Sequence, residues 1–169
     1  MIQDYNTQLS TAQAITTGTV LGTNQFDLHP IARDVGIGEP LYMHMEVNTS
    51  FDELLTTLRM QVVVSPTTNM SDTDAVIVCQ SDDILGAFLI AGSHFYIPIA
   101  NVSLARALNS SFATIWPGVG TYLGVKYVVT GTDFAAGTVT TNVTREVGPQ
   151  GRITVLGGAI PTPTYGAGY

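Results

Sequence analysis

Period-two alternation of apolar and polar residues is the feature that most constrains the fold of this chain. In Leu41-Tyr42-Met43-His44-Met45-Glu46-Val47 every odd position is apolar and every even one more polar. Side chains at i and i+2 share one face of a strand, so Leu41, Met43, Met45 and Val47 are expected to enter a core. The pattern returns in Leu58-Arg59-Met60-Gln61-Val62, with Val63 a lapse before Val64, and again in residues 94–99 and 123–129. A last run, Thr138-Val139-Thr140-Thr141-Asn142-Val143-Thr144, is rich in β-branched residues that suit a pleated, half-buried surface.

Turn chemistry divides these runs. Ser65-Pro66-Thr67-Thr68-Asn69, Ser81-Asp82-Asp83, Ala91-Gly92-Ser93 and Thr130-Gly131-Thr132-Asp133 all break strands, as does the glycine-punctuated stretch from Asp34 to Pro40. Strands at this spacing indicate an all-β antiparallel sandwich and not alternating βα units. Helix is scarce. Residues 51–55 fit one helical turn, and residues 102–108 fit either a short helix or an extension of the preceding strand. Residues 153–156 fit one more edge strand.

Composition narrows the partners. The chain has 169 residues, within the range of one domain, and only 11% are charged. Such a surface is either uncharged polar or covered by partners. The net charge of −7 disfavours nucleic acid, which needs clustered cations, and anionic membranes. No stretch is long and apolar enough to span a bilayer, and the first residues do not read as a secretory signal. The single cysteine, Cys79, lies in an apolar run and reads as a small buried hydrophobe.

Catalytic motifs are not found. Gly-x-Ser-x-Gly does not occur. Gly36-Ile37-Gly38-Glu39-Pro40-Leu41 starts like a dinucleotide fingerprint, but it lacks the third glycine and enters a strand. His29, His44 and His94 are far apart, without the close pairing a zinc site favours. His44 and His94 lie on polar strand faces, where a solvent-facing or interface side chain is expected. The acidic pairs Asp52/Glu53, Asp72/Asp74 and Asp82/Asp83 lack a calcium-loop pattern and read as solvated carboxylates. The residues alone thus show no cofactor or metal motif, and a glycosidase pair stays open, because its two carboxylates need only meet in space.

After Val147 the chain changes character. Gly148-Pro149-Gln150-Gly151 breaks the fold, and residues 157–169 are too rich in glycine and proline for a regular element. The expected division is a β-sandwich domain over 1–147 and an extended Gly/Pro-rich arm over 148–169. The arm reads either as a disordered tail or as an anchor through Tyr165 and Tyr169 on a neighbouring subunit.

Two N-terminal blocks, Ser10-Thr11-Ala12-Gln13-Ala14 and Ala32-Arg33-Asp34-Val35-Gly36-Ile37-Gly38-Glu39-Pro40-Leu41-Tyr42, together with Phe26-Asp27-Leu28, resemble the capsid cement (decoration) proteins of short-tailed bacteriophages. The paired runs 122–129 and 137–143, linked by Thr130-Gly131-Thr132, are similar to the closing hairpin of that family. The resemblance covers roughly residues 5 to 147; extra residues between Asn101 and Gly120 and the tail after Gly148 depart from it. It implies a jelly-roll-like β-sandwich with extended terminal segments, assembled as a homo-oligomer, dimer or trimer, on the outer capsid surface. There it would act as a non-enzymatic structural protein that bridges major capsid protein subunits and resists the pressure of packaged DNA.

Partner contacts are assigned to segments on that basis. Asp4, Tyr5, Gln8 and Gln13 are candidates for touching capsid or a sister subunit, or else belong to an ordinary first strand. Arg33 and Asp34 are candidates for a contact, or for a local ion pair within their turn. Tyr165 and Tyr169 are the third candidate. The competing readings are a virion attachment module that binds a receptor or glycan, and a small β-sandwich hydrolase. The hydrolase reading requires His44, His94 and carboxylates to meet in one pocket.

Overall fold

The computed structural model describes residues 8–27, 41–65, 67–71, 75–99, 122–144 and 152–153. Eleven strands run in chain order: β1 Gln8–Ala14, β2 Thr19–Leu21, β3 Phe26–Asp27, β4 Leu41–Thr49, β5 Thr57–Ser65, β6 Val76–Gln80, β7 Ile84–Leu85, β8 His94–Ile99, β9 Tyr122–Thr130, β10 Thr138–Thr144 and β11 Arg152–Ile153. One sheet has the order β1-β10-β4-β8-β11, and the other β2-β9-β5-β6, with β3 added to β9 and β7 to β5.

The pairing has a simple origin. β1 pairs with β10, β2 with β9, β4 with β8 and β5 with β6, all antiparallel. These eight strands thus form one long two-stranded ribbon, with β1 against β10. Rolling that ribbon up brings β10 beside β4 and β9 beside β5, which closes two four-stranded sheets. This is the jelly-roll arrangement, with β1 and β11 at the edges of one sheet and β2 and β6 at the ends of the other's strand order. The fold is all-β, as the alternation predicted. β11 joins the edge of the first sheet in parallel with β8, from within the stretch read as an arm.

The core lies between the sheets. Met43, Met45 and Val47 of β4 are fully buried and face Leu58, Met60 and Val62 of β5 and Leu123, Val125 and Tyr127 of β9 in one apolar cluster. Cys79 is buried there too. Val63 departs from the alternation and is nonetheless buried, outside this cluster. It pairs with Gly124, and the absence of a side chain at Gly124 makes room for Met70, which a Cβ there would strike. The loop after β5 therefore shelters the outer face of that sheet locally.

β1 is bulged twice against β10, between Gln8 and Ser10 and between Ser10 and Gln13. A bulge puts consecutive residues on one side, and so Leu9 and Ser10 are both buried inward. Ser10 uses that position. The Tyr127 hydroxyl crosses the sandwich, donates to Thr141 Oγ1 at 2.6 Å and meets Ser10 Oγ at 2.7 Å. Three buried hydroxyls thus pin the two sheets together. Burial pushes the Tyr127 phenol up to about 12. Ala12, at the second bulge, has a positive φ of 42°, and its N–H is held by Thr140 Oγ1 at 3.0 Å.

Residues 51–55 do not form the expected helical turn. Their backbone instead runs beside residues 86–91: Phe51 N–H donates to Leu89 O, Ala87 N–H to Leu54 O, and Gly86 N–H to Thr56 O. These cross-loop bonds take the donors and acceptors that a helix would have used internally. A short 3₁₀ turn, Gly86–Phe88, occurs on the facing segment. The alternative helix at 102–108 lies outside the described residues.

Candidate interaction surface

Four loops meet at one end of the sandwich: 15–18, 50–56, 81–93 and 131–137. Hydrogen bonds knit them. Ile15 N–H donates to Gly137 O and Phe134 N–H to Thr16 O. Thr56 Oγ1 donates to Thr132 O at 2.7 Å, and Ala91 N–H to Ser50 Oγ at 2.9 Å. The Asp52 carboxylate accepts from the N–H groups of Ala135 and Ala136 at 3.1–3.2 Å, which holds it below the usual carboxylate range. Beneath them Phe51 and Phe134 pack edge to face, with ring centroids 4.6 Å apart.

The outer side of this end is unusual. Leu54, Leu55, Leu85, Phe88 and Ile90 are exposed, Leu55 to 89% and Ile90 to 57%. Adjacent to Phe88 and Ile90 is a half-open recess of about 220 Å³, also lined by Ser93, His94 and Phe95. The same loops carry the carboxylates of Asp52, Glu53, Asp82, Asp83 and Asp133. Arg59 pairs with Asp83 through two bonds of 2.8 and 2.9 Å. No other ion pair forms among the described residues.

At the recess begins a line of buried polar groups on the outward face of the first sheet. His94 Nδ1 lies 2.9 Å from His44 Nε2, and His44 Nδ1 lies 2.8 Å from Asn142 Oδ1. Asn142 Oδ1 only accepts, so His44 carries its proton on Nδ1, and its Nε2 accepts the Nδ1 proton of His94. Tyr96 and His94 stack on the His44 ring, at centroid distances of 4.6 and 5.2 Å. His44 is only 2% exposed, which corrects the expectation of a solvent-facing or interface side chain. Burial pushes its pKa below 6.5, the Asn142 bond opposes this, and the neighbouring His94 adds to it. Both His44 nitrogens are committed within the protein, leaving no lone pair for a metal. No group of three His, Cys, Asp or Glu suited to a metal ion occurs among the described residues.

Of the contacts proposed from sequence, Asp4, Tyr5, Arg33, Asp34, Tyr165 and Tyr169 lie outside the described residues. Gln8 and Gln13 both sit on β1. The Gln8 carbonyl accepts from Asn24 Nδ2, and Gln13 Nε2 donates to Leu21 O, so Gln13 ties β1 to β2. The two are not part of the apolar end. That surface went unnoticed in the sequence because Leu54-Leu55 and Phe88-Leu89-Ile90 belong to no alternating run. A signal was present: each apolar group follows an acidic doublet, Asp52-Glu53 or Asp82-Asp83, within a few residues.

A family model described as Bbp16 matches residues 9–143. The chain belongs to the Bbp16 family. The Bbp16 match opens inside β1 and closes inside β10, so it takes in all eight strands of the rolled ribbon. It also contains the second bulge of β1, the Tyr127 pin and the loops of the apolar end. No curated protein matches the chain.

Proposed function

We propose that the protein is a structural component of a bacteriophage head. In this reading it is a capsid cement that binds the outer surface, bridges major capsid protein subunits and acts without catalysis. The observation that carries this reading is the apolar end of the sandwich. Five large apolar side chains stand in solvent on a chain with few charges, and a surface of this kind marks a protein contact. The jelly roll supports it, being an architecture used repeatedly in viral capsids. The blocks resembling cement proteins support it further, because Ser10 and Ala12 of the first block shape the bulged strand that seals the roll. A repeated shell contact multiplies weak binding through avidity, so each site need not be strong.

The contact between His44 and His94 is the one feature that favours the hydrolase reading. Against it, His44 is buried with both nitrogens engaged, which suits a structural link better than a proton shuttle. The deciding experiment is the copy number of the polypeptide in purified particles, by quantitative mass spectrometry. Hundreds of copies in a simple ratio to the major capsid protein are expected. A handful would move the protein to a tail or spike, and absence from particles would overturn the proposal.

A further inference from the structure

We propose that the apolar end of the sandwich docks a capsid protein surface presenting an apolar side chain flanked by lysine or arginine. This rests on the head-protein reading above and adds to it which face binds and what chemistry it binds.

Charge complementarity selects the occupant. The loops of this end carry five carboxylates, Asp52, Glu53, Asp82, Asp83 and Asp133, against the single guanidinium of Arg59. Asp83 is taken by Arg59 and Asp52 by two backbone amides. Glu53, Asp82 and Asp133 form no ion pair among the described residues, and they lie on the loops of the same end of the sandwich as the exposed Leu54, Leu55, Phe88 and Ile90. A partner that buries the apolar group must bring cations to these loops, or leave desolvated carboxylates unpaired.

A second copy of this chain meets that condition poorly. In a two-fold contact through this face, each acidic end would oppose the other. The whole chain has only six lysines and arginines, and Arg59 is already engaged. Nucleic acid and anionic lipid are repelled by the same carboxylates. The recess beside Phe88 and Ile90, at about 220 Å³, falls below the usual size of a small-molecule cleft and suits the insertion of one side chain. An exposed apolar group beside such a recess, with polar groups outside it, has the anatomy of a binding hot spot and its rim.

The test uses purified full-length protein and phage heads assembled without it, with binding read by co-sedimentation over a salt series. Leu55→Ser and the pair Phe88→Ser with Ile90→Thr change exposed residues, so melting temperature should be retained. Each is expected to weaken head binding roughly tenfold or more. The triple change Glu53→Gln, Asp82→Asn and Asp133→Asn is expected to weaken binding and flatten its salt dependence. Ile77→Ser, an exposed apolar residue on β6, serves as the control that binds normally.

If the wild type binds and the Leu55 and Phe88/Ile90 variants bind equally well, the docking face is wrong while the head-protein reading stands. If neutralising these carboxylates leaves affinity and salt dependence unchanged, the basic-partner assignment is overturned. If the apolar variants alter the oligomeric state in light scattering, a second copy occupies the face, and the proposal fails. If the wild type itself does not bind heads, the underlying reading falls and takes this partner with it.

Discussion

Replacing Tyr127 by Phe removes one oxygen at the centre of the sandwich. In the native protein that oxygen donates to Thr141 and meets Ser10, and all three side chains are essentially inaccessible to solvent. Two hydrogen bonds are lost, at about 1 kcal/mol each. The hydroxyls of Ser10 and Thr141 are left buried where water does not reach, so the expected loss is about 2–4 kcal/mol. A domain of this size is stabilised by only about 5–15 kcal/mol, so the change is large. It corresponds to a fall in melting temperature of roughly 5–12 °C, readable by calorimetry. The triple variant Tyr127→Phe, Ser10→Ala, Thr141→Val removes every polar group of the pin together and is expected to recover most of the loss. Replacing all partners by apolar groups of similar shape is close to neutral. Alkaline titration gives an independent reading. The native phenol titrates near 12 against 10.0 for a free tyrosine. Its contribution is fully present below pH 10, and up to roughly 3 kcal/mol is lost as pH rises from 10 to 12. Tyr127→Phe should remove this alkaline slope. A Tyr127→Phe protein that melts within 1 °C of wild type, or a triple variant no better than the single, would refute the pin as a stabilising element.

His44 has a native pKa below 6.5, chiefly through burial, so its contribution is intact above pH 6.5 and declines as pH falls below it. Denaturant melts across pH 5–8 should show that decline, and His44→Gln should flatten it. Gly137 has a φ of +139°, and a Cβ there would overlap the Phe51 ring. Gly137→Ala should cost about 3 kcal/mol or more from strain and overpacking combined, against about 1–2 kcal/mol from strain alone at open Gly92, which also has positive φ. Asp52 ties its loop to the Ala135 and Ala136 amides, and Asp52→Ala should speed hydrogen exchange at those two amides selectively. In the wild type that tie is fully present above pH 3.8 and is lost as pH falls through the lower native value.

These groups separate the interior from the exposed apolar end. The stabilising polar groups, the Tyr127 pin and the Asn142–His44–His94 line, are enclosed or half-enclosed and spend their hydrogen bonds within the chain. The apolar end is the reverse, since nothing in the described residues covers Leu55 or Ile90. The capsid-cement proposal calls for such a division, a rigid body and a face that would be completed only on a partner.

Strand content, the inward faces of β4, β5 and β9 and the burial of Cys79 were legible in the sequence. Each depends on alternation within one short segment, and a strand's two faces are decided by neighbours two residues apart. The jelly-roll winding was available only through the resemblance, because alternation says which face is buried and not which strand lies alongside. The sites were decided by tertiary structure. His44 and His94 are fifty residues apart in sequence and come together because β4 pairs with β8 in a register that sets His44 opposite Tyr96 and Glu46 opposite His94. Ser10 and Tyr127 meet across 117 residues because a bulge in β1 turns Ser10 inward, a one-residue irregularity that no periodic pattern encodes. The apolar end arises likewise from loops that lie far apart in the chain, gathered at one end because the ribbon rolls up. Local sequence determines which side of a strand prefers water, while long-range pairing determines what that side meets.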